Sequence, residues 1–125
     1  MNNSALYAFY GSLRRGMENY FHYKTGLDYQ YSIRLCGFQL YSLGPYPAAV
    51  KTASKDHSIV AEIFRITDPL VAKSIHDLEI NAGYYFDTVM IDGEEVGIYL
   101  FESSENYQEV SSGDWVNFFR KTAQL

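Results

Sequence analysis

The chain has 125 residues, 47% of them hydrophobic, and a formal net charge of −5. That length buries a core as one domain over residues 1–125, and that composition excludes a disordered chain. Apart from Arg14-Arg15 there is no basic cluster, so a nucleic-acid backbone finds no complementary surface.

Residues 5–10 predict a short buried strand that ends at Gly11-Ser12. A loop follows, with a short helix over about residues 17–24. Residues 29–43 are rich in aromatic and β-branched side chains and predict one bent strand or two, with Gly37 as the interruption. Gly44-Pro45-Tyr46-Pro47 predicts an irregular turn, because two prolines so close cannot both sit in a sheet ladder. Strands over residues 48–51 and 59–66 flank a polar loop. Asp68-Pro69 predicts the capped start of a helix that runs to about residue 80, where Asn81-Ala82-Gly83 stops it. Strands over residues 85–91 and 96–102 are joined through Asp92-Gly93-Glu94, a hairpin signal, and Asp114 opens a last short helix. The pattern is a strand-dominated α+β fold.

The single cysteine, Cys36, excludes an internal disulfide framework and thiolate zinc sets, and its strand-like setting predicts a small packing residue. His22, His57 and His76 are scattered without metal-ligand spacing, so no metal site is expected. No apolar run approaches the roughly 20 residues of a membrane helix, and no charged-then-apolar leader opens the chain. The expectation is a cytoplasmic protein with no membrane partner.

The helix starting at Pro69 carries an oddity. At 100° per residue, Leu70, Val71, Ala72, Ile75 and Leu78 form one apolar arc, and Lys73, Ser74, His76 and Asp77 fall outside it. Glu79 falls within the arc, near its edge. A carboxylate buried there without a partner has its pKa raised, which suits a group that accepts and returns a proton near neutrality. The alternative is that Glu79, in the last turn, swings out to solvent. Glu62 shares a strand face with Val60, Phe64 and Ile66; its expected role is structural, at a sheet rim, with catalysis as the alternative.

Tyr10-Gly11-Ser12-Leu13-Arg14-Arg15-Gly16 resembles the Y-G-S/T-L-x-x-G signature of the γ-glutamylcyclotransferase-like family, which includes γ-glutamylamine cyclotransferases and the avirulence-induced plant proteins. Asn19 stands where the family has G-x-x-N, and Gly44-Pro45-Tyr46-Pro47-Ala48 is similar to its proline-rich segment. Ile75-His76-Asp77-Leu78-Glu79 is similar to the L-D-x-L/F-E segment, Tyr85 stands at the tyrosine position, and Ser112-Gly113-Asp114-Trp115 is similar to the S-G-D-W ending of bacterial members. Three positions depart from the pattern: Asp87 in place of an arginine, Ala61 in place of a glycine, and His76 in place of an aspartate. His76 lies on the polar face of the wheel and is expected to be solvated.

The resemblance implies a small mixed β-barrel flanked by short helices. It implies cofactor-free conversion of a γ-glutamyl amine or amino acid to 5-oxoproline, the α-amine attacking its own side-chain carbonyl. Glu79 is then the general acid/base, the backbone N–H groups of Gly11, Ser12 and Leu13 hold the α-carboxylate, and Tyr10 and Tyr85 line the cavity. Neither metal nor organic cofactor is required. Two other readings stay open: a catalytically silent small-molecule binding protein, favoured by Asp87 and Ala61, and an enzyme deprotecting a γ-glutamylated biosynthetic intermediate. The polar arm over residues 103–111 either shapes such specificity or is a plain surface loop. Tyr20, Phe21 and Tyr23 suit either an interface or a core-facing segment, and the oligomeric state is left open.

Overall fold

The computed structural model describes residues 5–123. Eight strands run in chain order as β1 (Leu6–Phe9), β2 (Asp28–Cys36), β3 (Phe38–Ser42), β4 (Pro47–Lys51), β5 (Ser58–Arg65), β6 (Tyr85–Ile91), β7 (Glu94–Leu100) and β8 (Gln108–Glu109). Three α-helices accompany them: α1 (Glu18–Tyr23), α2 (Pro69–Asn81) and α3 (Trp115–Ala123). A single 3₁₀ turn, Lys24–Gly26, follows α1.

The α+β fold expected from the sequence is present, and its strands form two sheets that do not close into one ring. One sheet has the order β2-β5-β1-β7-β6, the other β4-β3-β8. Gly37, at φ +88°, turns the chain out of the first sheet and into the second, a conformation that L side chains rarely adopt. Its N–H donates to the His57 carbonyl and its carbonyl accepts from Thr52, so the corner is held on both sides. The sheets meet again where Phe101 N–H donates to the Ala49 carbonyl at 2.9 Å.

β1 is the centre of the larger sheet, antiparallel to β5 and parallel to β7. Leu6 and Ala8 join Trp115, Leu40 and Ile98 in one core cluster, while Tyr7 and Phe9 join Phe64, Ile75 and Tyr99 in another. Burial on both faces explains why this strand reads as an unbroken apolar run. The hairpin between β6 and β7 turns at Asp92 and Gly93, both at positive φ, as a two-residue primed turn requires.

The Ser112-Gly113-Asp114-Trp115 segment pins α3 to this core. A Cβ on Gly113 would lie 2.0 Å from the Ser58 carbonyl oxygen, so only glycine fits. Trp115 is fully buried, with the Phe118 and Phe119 rings tilted against it at 5.5 Å. The sequence reading misses the two-residue strand β8, which pairs Tyr41 with Glu109 and ties part of the polar arm to β3. Cys36 ends β2 exposed, not packed. Tyr20 and Tyr23 pack against the second cluster, whereas Phe21 faces solvent. No described helix is long and apolar enough to cross a membrane.

Candidate active site

The loop leaving β1 runs directly into the α1 segment and is tightly braced. Arg14 N–H donates to the Gly11 carbonyl, Tyr20 N–H to the Ser12 carbonyl, and Asn19 Nδ2 to Ser12 Oγ at 2.7 Å. Beneath it, Glu62, 4% exposed, accepts from Arg14 Nε at 2.8 Å, Arg15 N–H at 2.9 Å and Arg15 Nε at 3.0 Å. Arg14 also reaches Asp114 Oδ1 at 2.9 Å. Burial pushes the Asp114 carboxyl up, but the bonds from Arg14 and the Asn117 N–H outweigh it and hold it below its ordinary value. Glu62 and the two arginines thus serve the loop's position.

With the Gly11 and Ser12 carbonyls committed, the loop leaves its amides free. Among the described residues, nothing accepts from the N–H groups of Gly11, Ser12 or Leu13. Three successive unpaired N–H groups form an anion-binding concavity. Gly11 is needed here for closeness: a Cβ would sit 2.7 Å from Pro47 Cγ and 3.0 Å from Cδ. Gly11→Ala is therefore expected to push Pro47 off the loop, with a loss of about 1–3 kcal/mol read by urea denaturation. Unchanged stability would mean that Pro47 yields freely.

The loop borders a cavity of about 180 Å³, walled by Phe9, Tyr10, Pro47, Leu78, Tyr84 and Tyr99 among others, with Glu79 facing in. The α2 helix places it. Asp68 caps the helix through the Leu70 N–H at 2.9 Å, and the expected helix over residues 69–80 is realised as α2. Ala72 and Ile75 pack inward, fixing the helix rotation, whereas Leu70 is 76% exposed and does not belong to the buried arc. Glu79 is half-buried and opens to the cavity. No hydrogen bond or ion pair reaches its carboxylate among the described residues. Burial pushes its pKa from 4.5 up to about 7. The C-terminal end of a helix, itself negative, offers the charge no relief.

Three tyrosines surround it, and each hydroxyl is already committed. Tyr10 donates to the Tyr99 carbonyl at 2.6 Å and accepts from the Ala49 N–H at 3.2 Å. Tyr84 donates to the Pro47 carbonyl. The Tyr99 hydroxyl meets His76 Nδ1 at 2.8 Å. Burial, reinforced by the neighbouring Glu79 charge, raises the pKa of all three. They remain neutral walls, so Glu79 is the group here that changes charge near neutrality.

A family model described as gamma-glutamyl cyclotransferase, AIG2-like, matches residues 7–117. The chain belongs to this family. No curated protein matches it. Among solved structures it is similar to an uncharacterized protein from Pyrococcus horikoshii, at 25% identity and TM-score 0.80, covering 97% of this chain and 98% of that one. Protein ytfP from Escherichia coli is 26% identical at TM-score 0.71, covering 91% and 98%. A mouse AIG2-like protein, 17% identical at TM-score 0.57 over 80% and 77%, shares the fold.

Within this cyclotransferase-family fold, the positions singled out from the sequence divide. Tyr10, Gly11, Ser12, Leu13 and Glu79 border one cavity. Tyr85 does not: it lies with Phe101 and Tyr107 in a separate depression, and the tyrosine in the cavity is Tyr84. The reason is the start of β6, where successive side chains point to opposite faces. The tyrosine run Tyr84-Tyr85 offers no sequence signal to choose between them. Asp87 pairs with Lys51 Nζ and accepts from the Thr88 N–H, bonds that hold its carboxyl below the ordinary range and keep it in a structural pair. Ala61 is fully buried in β5. His76 is not a solvated residue; it packs on Phe86 and Tyr99 and anchors the Tyr99 hydroxyl. Among the described residues, no three His, Cys, Asp or Glu side chains gather to hold a metal ion.

Proposed function

We propose that the chain is a γ-glutamylcyclotransferase-type enzyme that converts a γ-glutamyl amine or amino acid to 5-oxoproline and a free amine. The observation carrying this reading is a partnerless Glu79 carboxylate with its pKa near 7, in one small cavity with the unpaired N–H groups of Gly11, Ser12 and Leu13.

The substrate α-carboxylate accepts from the loop N–H groups, which sets the α-ammonium beside Glu79. Ionised Glu79 removes a proton, and the exposed nitrogen lone pair attacks the γ-carbonyl carbon to close the five-membered ring. Ring closure is intramolecular, so the protein has chiefly to hold a productive conformer. The C–N bond to the leaving group then breaks as that nitrogen gains the proton held by Glu79. The second proton of the ring nitrogen passes to the departing nitrogen by way of the same Glu79 carboxylate, so two hydrogens move in all and the amine leaves as an ammonium. Proton transfer is the only chemistry asked of the site, so neither metal nor organic cofactor is needed. The cavity is smaller than the about 300–1,000 Å³ of drug-sized sites, which suits a γ-glutamyl group with the leaving group at the mouth.

The test is 5-oxoproline release from γ-glutamyl amines, γ-glutamyl amino acids and glutathione, with Glu79→Gln alongside. Release by the natural chain and its loss in the variant is the expected result. Ligand binding without release from any compound would favour a silent binding protein.

A further inference from the structure

Resting on that cyclotransferase reading, we infer that the leaving amine carries an uncharged, apolar substituent, aryl-alkyl or alkyl, with no carboxylate on the carbon beside the departing nitrogen. The side chains around Glu79 carry this. A nitrogen that takes its proton from Glu79 lies beside the neighbours that share its cavity, Leu78 and, just past the end of α2, Ala82. Both line the cavity, as does Tyr46. Tyr46 and Leu78 are 40% and 37% exposed, two large apolar side chains left open to solvent at the same cavity. An apolar leaving group would cover both.

Among the described residues, no lysine, arginine or histidine lines the cavity. Arg14 and Arg15 are held by Glu62, Lys51 by Asp87, and Lys73 by Asp77. The loop N–H groups serve the carboxylate of the glutamyl half, so a second carboxylate on the leaving group would meet no cation and would lie beside ionised Glu79. Like charges so placed disfavour one another, enough to decide between substrates. The apolar rim gives a positively charged tail no acidic partner either, apart from Glu79 itself, which the reacting nitrogen occupies.

The experiment compares kcat/KM for γ-glutamyl conjugates of phenethylamine, phenylalanine, ethylamine and the side-chain nitrogen of lysine. Phenethylamine and phenylalanine differ only in the carboxylate. The phenethylamine conjugate is expected to lead the phenylalanine one by about tenfold or more, and the ethylamine one by about tenfold. The lysine conjugate should also trail it. Tyr46→Ser should cut the phenethylamine-over-ethylamine ratio to about threefold, since it removes the ring that the phenyl group covers. Leu78→Arg, at an exposed position, should raise turnover of the phenylalanine conjugate about tenfold by supplying the missing cation. Phenylalanine or lysine conjugates turning over as fast as the phenethylamine one would overturn the inference and leave the cyclotransferase reading standing. No 5-oxoproline from any of the four would overturn both.

Discussion

Glu79→Gln is expected to lower 5-oxoproline release by about 10²–10⁴-fold and, above neutral pH, to make the protein more stable. The rate loss follows from removing the one group that moves protons. The stability gain follows from the cost of the native charge. The folded carboxyl holds its proton up to about 7, whereas the ordinary value is 4.5. Between those values the folded state binds more protons than the unfolded one, so this residue's contribution to stability falls as pH rises. Its favourable share is fully present below 4.5 and lost through about 7. The full shift sets a ceiling of about 3 kcal/mol, and water in the cavity lowers the expected effect to about 2. Thermal melts of both proteins from pH 5 to 8.5 check this. The variant should melt about 5–8 °C higher above pH 7, with the gap closing toward acid. A gap independent of pH would mean that Glu79 is not desolvated in solution. If the proposed activity holds, kcat/KM of the natural chain should rise with pH through an apparent pKa near 7.

The largest loss of stability is expected from Glu62→Ala. That carboxylate, itself 4% exposed, neutralises two arginines, one of them buried. Removing one partner of a buried pair costs about 3–5 kcal/mol, because the other charge is left uncompensated. Asp114 still touches Arg14 and bears part of that charge, which favours the lower end. Urea denaturation should show a reduced midpoint at unchanged slope. Arg14→Met combined with Glu62→Leu should recover much of the loss, since removing both charges leaves neither stranded. Should the single variant match the natural chain, the pair contributes no net stabilisation and Glu62 does not brace the loop. The same variant should weaken substrate binding, because Arg14 and Arg15 follow directly on the N–H groups of Gly11, Ser12 and Leu13.

What was legible in the sequence was whatever local chemistry dictates. Asp68-Pro69 set the start of α2, Asp92-Gly93 set the hairpin, Gly37 broke a long strand in two, and the helical period marked Glu79 as a carboxylate on an apolar arc. Each depends on backbone preferences or on periodicity within a few residues. The Gly11–Leu13 turn was visible in the same way.

Tertiary structure decided the rest. Leu70 and Leu78 share an arc with Ile75, yet only Ile75 is buried, because burial depends on what stands opposite the helix. Tyr84 and Tyr85 are chemically alike, and only the start of β6 selects which one faces the cavity. His76 looks solvated on a wheel but meets Tyr99, 23 residues away across the fold. The use of Glu62 became visible when residues 47 and 48 positions apart were brought within hydrogen-bond reach. Spacing along the chain carries local geometry, whereas the partner of a side chain is fixed only when distant strands pack, and that packing leaves Glu79 half-buried and, among the described residues, without a partner.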